Sequence, residues 1–283
     1  MADARRVGVV GGGRMGAGIA QVLAMAGAEV TVVESDAGAA EAARERVLAG
    51  LRGAQERGKL AEPLDSVAER VIVRTSVGEL PADAELVVEA VPEVAALKVD
   101  VLTAAERAVG DQAVLATNTS SLSVGELAAA LRRPERFIGM HFFNPVPASK
   151  LVEVVLAGQT SDETRDRVLA WVSELGKSEV VVRDSPGFAT SRLGVLLGLE
   201  AIRMLEEGVA DAESIDRAME LGYRHPMGPL GSTDLVGLDV RLAIAEYLAS
   251  TLGDRFAPPQ LLRDKVARGE LGRKTGQGFH TWA

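Results

Sequence analysis

Two residues in this chain stand at a spacing that could do proton-transfer chemistry: His141 and Glu153. His141 follows the apolar run Phe137–Met140 and opens the segment His-Phe-Phe-Asn-Pro, and Glu153 lies 12 residues on, inside Leu151-Val152-Glu153-Val154-Val155. A carboxylate within such an apolar strand is costly to bury unless something accepts its charge. Lys150 is the nearest cation in sequence, but an imidazole brought back alongside by the Asn-Pro-Val-Pro turn is the more useful partner. Glu153 bonded to one ring nitrogen would fix the tautomer and strengthen the other as a base, which is what general-base catalysis near neutral pH requires. The plainer alternatives are a structural histidine at a strand end and an edge-strand carboxylate facing water. A second polar group, Thr117-Asn118-Thr119-Ser120-Ser121, follows the apolar run Ala113–Ala116 and places several hydroxyls in a small volume. Part of it could serve only as a helix start, since Ser123 with Glu126 three residues later forms a capping box.

A third set of residues points to a nucleotide. Gly11, Gly13 and Gly16, with Arg14 and Met15 between them, satisfy G-x-G-x-x-G directly after the run Val7–Val10 and before an Ala-rich helical stretch. Alone the pattern marks a tight turn; between a strand and a helix it marks a dinucleotide-binding turn. Gly11 permits the turn, Gly13 the close approach of a pyrophosphate, and Gly16 the packing of helix on strand. A pyrophosphate there meets unpaired N–H groups and the positive end of the helix dipole. The next apolar run ends in Glu34, 18 residues after Gly16. A carboxylate there accepts from the ribose hydroxyls and repels a 2′-phosphate, so the expected cofactor is NAD and not NADP.

These groups need a scaffold that brings strand ends together. Apolar runs near 7–10, 30–33, 71–73, 86–89, 113–117, 137–140, 150–155 and 179–182 alternate with helical stretches. That alternation predicts an α/β fold, a Rossmann-like, doubly wound, mostly parallel sheet. The charged segment from Ala37 to Ala61 reads as a helical hairpin projecting from the sheet, its basic residues Arg52, Arg57 and Lys59 set among acids. After Asp184-Ser185-Pro186-Gly187 the strand pattern stops and Leu, Ile, Met and Ala recur at helical spacing. The expected division is a nucleotide-binding domain over 1–184 and a smaller all-helical domain over 185–283. The final Lys-Thr-Gly-Gln-Gly-Phe is too rich in glycine for helix. The run from Leu193 to Leu205 is apolar almost all round, which predicts burial on more than one side and hence a homodimer built on the helical domain, or else a central helix.

Composition narrows the remaining choices. The net charge of −9 argues against general nucleic-acid binding, and no apolar run is long enough to span a membrane. There is no cysteine, which excludes thiolate chemistry and disulfides and suits a cytoplasmic enzyme. Three scattered histidines suggest no metal cluster. The first residues run straight into the first strand, leaving no room for a signal peptide.

Taken together these segments resemble the 3-hydroxyacyl-CoA dehydrogenase family, particularly its bacterial 3-hydroxybutyryl-CoA dehydrogenases, over essentially the whole chain. The resemblance is carried by Gly-Gly-Gly-Arg-Met-Gly-Ala-Gly-Ile-Ala, Glu89-Ala90-Val91-Pro92-Glu93 with Lys98, Asn118-Thr119-Ser120-Ser121-Leu122 and His-Phe-Phe-Asn-Pro. Ser185-Pro186-Gly187-Phe188, Met227-Gly228-Pro229, Asp234-Leu235-Val236-Gly237-Leu238-Asp239 and Lys274-Thr275-Gly276-Gln277-Gly278-Phe279 continue it. It implies NAD-dependent reversible oxidation of an (S)-3-hydroxyacyl-CoA, with 3-hydroxybutyryl-CoA the expected substrate. His141 then resembles the family's catalytic base, and Glu153 its paired carboxylate. Ser120 resembles the serine that holds the substrate oxygen, and Asn144 lies at a position lining the same site. Glu93 and Lys98, with Asn118, fall where the family contacts NAD, and Arg57 falls near a basic residue that holds the CoA phosphates. The resemblance also implies a dimer through the helical domain. One departure stands out: where the family has asparagine in Pro-Gly-Phe-x-x-Asn-Arg, this chain has Ser191 before Arg192, a shorter side chain that reaches the substrate oxygens only with help, for instance from a bridging water. Two other readings remain at this stage: an NAD-dependent dehydrogenase of a free 3-hydroxy or sugar acid of the gulonate type, and a non-catalytic NAD-binding structural or regulatory protein.

Overall fold

A computed structural model describes residues 5–282 and divides the chain into two compact units, Met1–Asp184 and Ser185–Ala283. The expectation about a signal peptide falls on residues 1–4, outside the described residues.

The first unit is built on eight strands: β1 (Arg6–Val10), β2 (Glu29–Val33), β3 (Val71–Arg74), β4 (Leu86–Glu89), β5 (Val114–Thr117), β6 (Phe137–Phe142), β7 (Leu151–Leu156) and β8 (Ser178–Arg183). They lie side by side in the order β3-β2-β1-β4-β5-β6-β7-β8. All neighbours are parallel except β6 and β7, which run antiparallel. This is the doubly wound arrangement that the alternating pattern implies, with its switch of winding between β1 and β4. Valine dominates the central strands, where a β-branched side chain packs well on a pleated surface covered on both faces. Val7, Val9, Val30, Val32, Val88 and Val114 are all buried.

Helix α1 (Arg14–Met25) follows β1 and buries Gly16, Ala17, Ile19, Ala20, Leu23 and Ala24. The segment read as a projecting hairpin is instead a single 20-residue helix, α2 (Ala37–Glu56), followed by a short helix α3 (Leu64–Ala68). Asp36 caps α2 by accepting from the Ala39 N–H at 2.9 Å. Ala43, Val47, Leu51 and Ala54, spaced by one helical turn each, form a buried stripe, and the first three join the core. The stripe lies under the charges that dominate the sequence there, so α2 packs onto the sheet layer and does not project from it. The Gln21 amide closes the α1–α2 seam by donating to the Gly50 carbonyl at 2.9 Å. Helices α4 (Ala95–Ala108), α5 (Val124–Ala128) and α6 (Asp162–Glu174) complete this unit.

The second unit holds α7 (Thr190–Glu206), α8 (Ala212–Tyr223), α9 (Pro229–Val236), α10 (Leu238–Leu252) and α11 (Gln260–Ala267) around Val195, Leu199, Ile202, Leu230, Leu238 and Leu248. Two buried carboxylates organise it. Asp216 accepts from the Leu230 and Gly231 amides, each at 2.7 Å, and so satisfies the start of α9. Asp234 accepts from the Phe279 and His280 amides and the Trp282 indole, each at 2.8 Å, and ties down the glycine-rich C-terminal segment. The apolar run along α7 is not buried all round by its own chain: Leu193 is 66% and Leu196 37% exposed, so α7 is not a central helix. Among the described residues no helix is long and apolar enough to cross a membrane, and no group of acidic or histidine residues could hold a metal ion.

Candidate active site

The turn after β1 has the backbone a pyrophosphate needs. Gly11 sits at φ +95°, in the left-handed region, and a Cβ there would come within 2.7 Å of the Ala90 carbonyl oxygen. A Cβ on Gly16 would lie 1.7 Å from the Gly11 carbonyl oxygen, so only glycine lets α1 start this close to the turn. At Gly13, the N-cap, a Cβ would meet nothing within 4 Å, and no side chain caps the helix. The first amides of α1 thus face open space over an exposed Gly13 and Arg14, with Met15 half-buried beside them. That is a fit for a dinucleotide pyrophosphate. Glu34, at the end of β2, accepts from the Gly12 N–H at 2.6 Å through Oε1 and from the Ser35 N–H at 3.3 Å through Oε2. The loop itself therefore fixes the orientation of the carboxylate beside the glycine turn.

A second cluster forms where β4 and β5 end side by side, with Glu89 in register with Thr117. Glu89 is fully buried and satisfied: Oε1 accepts from Lys98 Nζ and the Val91 N–H, each at 2.7 Å, and Oε2 accepts from the Thr117 hydroxyl at 2.6 Å. Lys98, reaching in from α4 and only 1% exposed, also lies 3.2 Å from Glu93 Oε2. Glu93 Oε1 in turn accepts from the Thr119 hydroxyl at 2.5 Å, the Ser120 N–H at 3.0 Å and the Ser121 N–H at 3.2 Å. Burial works to raise the Glu93 pKa, but the Lys98 charge and the bonds from Thr119 and Ser120 outweigh it and hold the carboxyl below its ordinary value. The serine-rich segment is thereby pinned by a chain of ion pairs and hydrogen bonds running from the sheet. Asn118, beside it, accepts from the Phe142 N–H at 2.9 Å and ties β5 to the end of β6. The capping of α5 by Ser123, which accepts from the Glu126 N–H at 3.1 Å, is also present. In the sequence Glu89 stands in a motif without a role, and Thr117 is only one hydroxyl of a polar run, not the partner of Glu89; a carboxylate ending an apolar strand nine residues before a lysine was the available signal.

The antiparallel register places His141 directly opposite Glu153. Both are buried, at 7% and 0% exposure, and His141 Nδ1 lies 3.0 Å from Glu153 Oε2. The Phe143 ring packs on the imidazole, 4.3 Å between centroids and tilted by 45°. The pairing follows from period-two alternation: the strand reversal returns β7 so that the one acidic side chain on it meets the one basic side chain on β6. Asn144 lies exposed on the turn that follows. Lys177, which drew no attention in the sequence, holds that turn by donating to the Val146 carbonyl at 2.7 Å and the Ser149 carbonyl at 2.6 Å, and burial lowers its pKa. Lys150 is exposed and is not the partner of Glu153.

Arg57 lies just beyond the end of α2 and is exposed. With Lys59 and Lys177 it lines a cavity of about 630 Å³ floored by Val22, Met25 and Pro147. Ser191 is the second residue of α7, half-buried, in the second unit.

Comparison with known proteins gives this arrangement its context. The model of the 3-hydroxyacyl-CoA dehydrogenase NAD-binding domain matches residues 6–185, and that of the 3-hydroxyacyl-CoA dehydrogenase C-terminal domain matches residues 187–282. A probable 3-hydroxybutyryl-CoA dehydrogenase of Bacillus subtilis is 43% identical over 99% of this chain and 98% of its own length. A 3-hydroxybutyryl-CoA dehydrogenase of Mycobacterium tuberculosis is 43% identical over the full length of both chains. Among solved structures, the crystal structure of (S)-3-hydroxybutyryl-CoA dehydrogenase PaaH1 from Ralstonia eutropha superposes with a TM-score of 0.93 at 42% identity, covering 99% of this chain and 100% of that one. Matched at both domains and along its whole length, the chain belongs to the 3-hydroxyacyl-CoA dehydrogenase family.

Proposed function

We propose that this protein catalyses the NAD-dependent, reversible oxidation of an (S)-3-hydroxyacyl-CoA, with 3-hydroxybutyryl-CoA as the reference substrate, using His141 as general base. The observation that carries this reading is the buried His141–Glu153 pair. With Nδ1 engaged by the carboxylate, the imidazole is held in one orientation and in the tautomer that leaves Nε2 to accept the substrate hydroxyl proton. Glu153 stabilises the imidazolium that results, as a paired carboxylate does in other histidine-based catalysts. Bound NAD⁺ supplies the hydride acceptor for C3.

The residues of the chain orient the substrate. Ser120, on the segment pinned by Glu93, and Asn144, on the turn braced by Lys177, hold the reacting oxygens, with Ser191 assisting. Gly11, Gly13, Arg14, Met15 and Gly16 carry the pyrophosphate, Glu34 the adenosine ribose, and Glu93, Lys98 and Asn118 the nicotinamide end. For Lys98 the burial argues a positioning role, exerted through Glu93, in place of direct contact. Arg57, with Lys59 beside it, receives the CoA phosphates. The first unit acts as the nucleotide-binding domain and the second contributes to the substrate cleft and to a homodimer. The dimer is supported by the apolar side chains of Leu193, Leu196, Leu235, Val236 and Val240, which the chain leaves exposed. The cysteine-free composition agrees with a cytoplasmic enzyme.

The test is a single NADH-oxidation trace with acetoacetyl-CoA. Rapid consumption is expected, with free 3-oxo acids and sugar acids such as gulonate poor substrates by comparison. A preference for the free acids would move the protein to another branch of dehydrogenases, and no turnover of any of them would leave a non-catalytic NAD-binding protein.

Cofactor choice should rest on Glu34. Glu34→Ser removes a charged acceptor from the ribose and the repulsion of a 2′-phosphate, so the NADH-over-NADPH ratio of kcat/KM is expected to fall by about 10- to 100-fold, the worth of a charge-assisted hydrogen bond. Native enzyme that already preferred NADPH would remove Glu34 from this role.

A further inference from the structure

Three glycines in a row, Gly11, Gly12 and Gly13, give the turn after β1 more backbone freedom than a fixed anion site can use. The peptide between Gly12 and Gly13 matters most, because glycine on both sides lets its plane rotate against little steric resistance. In a planar trans peptide the Gly12 carbonyl and the Gly13 N–H point in opposite directions. One orientation offers a pyrophosphate an N–H. The flipped one offers it a carbonyl oxygen, which repels it.

Arg46 decides between them. It stands on α2 three residues after Ala43, at the place where that helix packs on the turn: a Cβ on Gly12 would come within 2.4 Å of the Ala43 Cβ. From there Arg46 Nη1 donates to the Gly12 carbonyl at 3.2 Å. The Gly12 N–H is held as well, by Glu34 Oε1 at 2.6 Å. Both polar groups of a buried glycine are thus gripped by charged side chains, 22 and 34 residues further along the chain. With its carbonyl turned to Arg46, the peptide points the Gly13 N–H the other way, and Gly13 is exposed with nothing within 4 Å of where a Cβ would stand. The bond is not a by-product of an ion pair. Arg46 has no acidic partner among the described residues, and its neighbour Glu45 pairs with Arg52.

We propose that Arg46 is a positioning residue for the dinucleotide, which locks the Gly12–Gly13 peptide in the orientation that presents the Gly13 N–H to the cofactor pyrophosphate. A charged donor makes this bond stronger than a neutral one would. The bond is formed within the chain, so the cofactor meets a turn that is already ordered. This inference rests on the reading of the turn as the pyrophosphate site.

Arg46→Met keeps the aliphatic stem and removes the donor, and an unchanged thermal midpoint checks its fold. Calorimetric titration with ADP, which carries a pyrophosphate, and with adenosine, which has none, reads binding apart from turnover. The dissociation constants of ADP and NADH are expected to rise by about 3- to 10-fold, the worth of one net hydrogen bond, with that of adenosine unchanged. Arg46→Lys can still donate to the carbonyl and should recover part of the loss. In cofactor-free enzyme carrying isotope-labelled glycine, the Gly13 amide should give one sharp signal in the wild type and a broadened or doubled one in Arg46→Met, the mark of a peptide that flips. Unchanged ADP affinity in Arg46→Met would overturn the proposal, as would an equal loss for adenosine, which would place Arg46 at the other end of the nucleotide. Weakened ADP binding with an unaltered Gly13 signal would also overturn it, making Arg46 a direct contact of the phosphates. A doubled Gly13 signal in the wild type would do so without any variant. Wild-type enzyme that bound ADP no better than adenosine would instead sink the reading of the turn as a pyrophosphate site.

Discussion

His141→Gln lowers turnover by about two to four powers of ten, the usual worth of a positioned general base, while NADH binding stays near the wild-type value. Glutamine fills a similar volume and can still meet Glu153, so the β6–β7 register survives and the loss reports on proton transfer. Most of the proposed cofactor groups follow β1, β2 and β4, away from this strand pair, and Asn118 meets β6 only through the Phe142 backbone amide, which the substitution leaves in place; this is why affinity for NADH should hold. Steady-state kinetics with acetoacetyl-CoA and a fluorescence titration with NADH separate the two effects. Near-normal turnover would remove His141 from the mechanism. Loss of NADH binding together with turnover would mean that the substitution had disturbed the sheet.

Lys98→Met should destabilise the fold by about 3–5 kcal/mol, the cost of leaving a buried carboxylate without its counter-charge. Glu89, at 0% exposure, keeps the Val91 amide and the Thr117 hydroxyl but loses the one cation paired with it among the described residues. The double variant Glu89→Gln with Lys98→Met removes both charges and should recover a large part of that loss, so a double-mutant cycle would show strong coupling. Denaturant midpoints at constant slope measure it. A loss below about 1 kcal/mol would place this pair with exposed salt bridges, whose median worth is that small. Because Lys98 also holds Glu93, the single variant should weaken NADH as well, through the loosened Thr119-Ser120-Ser121 segment.

In the second unit one pattern left two outcomes open. The run from Leu193 to Leu205 is apolar round most of the helix, which predicted burial on more than one side, by a second copy of the chain or by a central place in the domain. In the folded chain Val195, Leu199 and Ile202 are covered whereas Leu193 and Leu196 are not, which removes the central helix. Hydropathy reports how much apolar surface must be covered, not which molecule covers it. The Ala37–Glu56 segment was misread for a different reason. Its many charges drew attention away from Ala43, Val47, Leu51 and Ala54, four small or medium apolar residues that suffice to dock a 20-residue helix on the core.

What this sequence determines by itself is local and periodic. Eight strands were legible because valine-rich runs alternate with helical stretches, and the nucleotide turn was legible because three glycines answer backbone demands that no other residue meets. The pairing of His141 with Glu153 was legible too, since a buried acid requires a partner and the chain reverses between them. What only the tertiary structure decided are the contacts between side chains distant in sequence. Lys98 joins Glu89 to Glu93, and Lys177 braces a turn that lies 28 residues before it at Ser149. Propensity and spacing state which groups need a partner. Which partner each one finds is set by how helices and strands pack in three dimensions, where long-range geometry and the competition for each charge are resolved together.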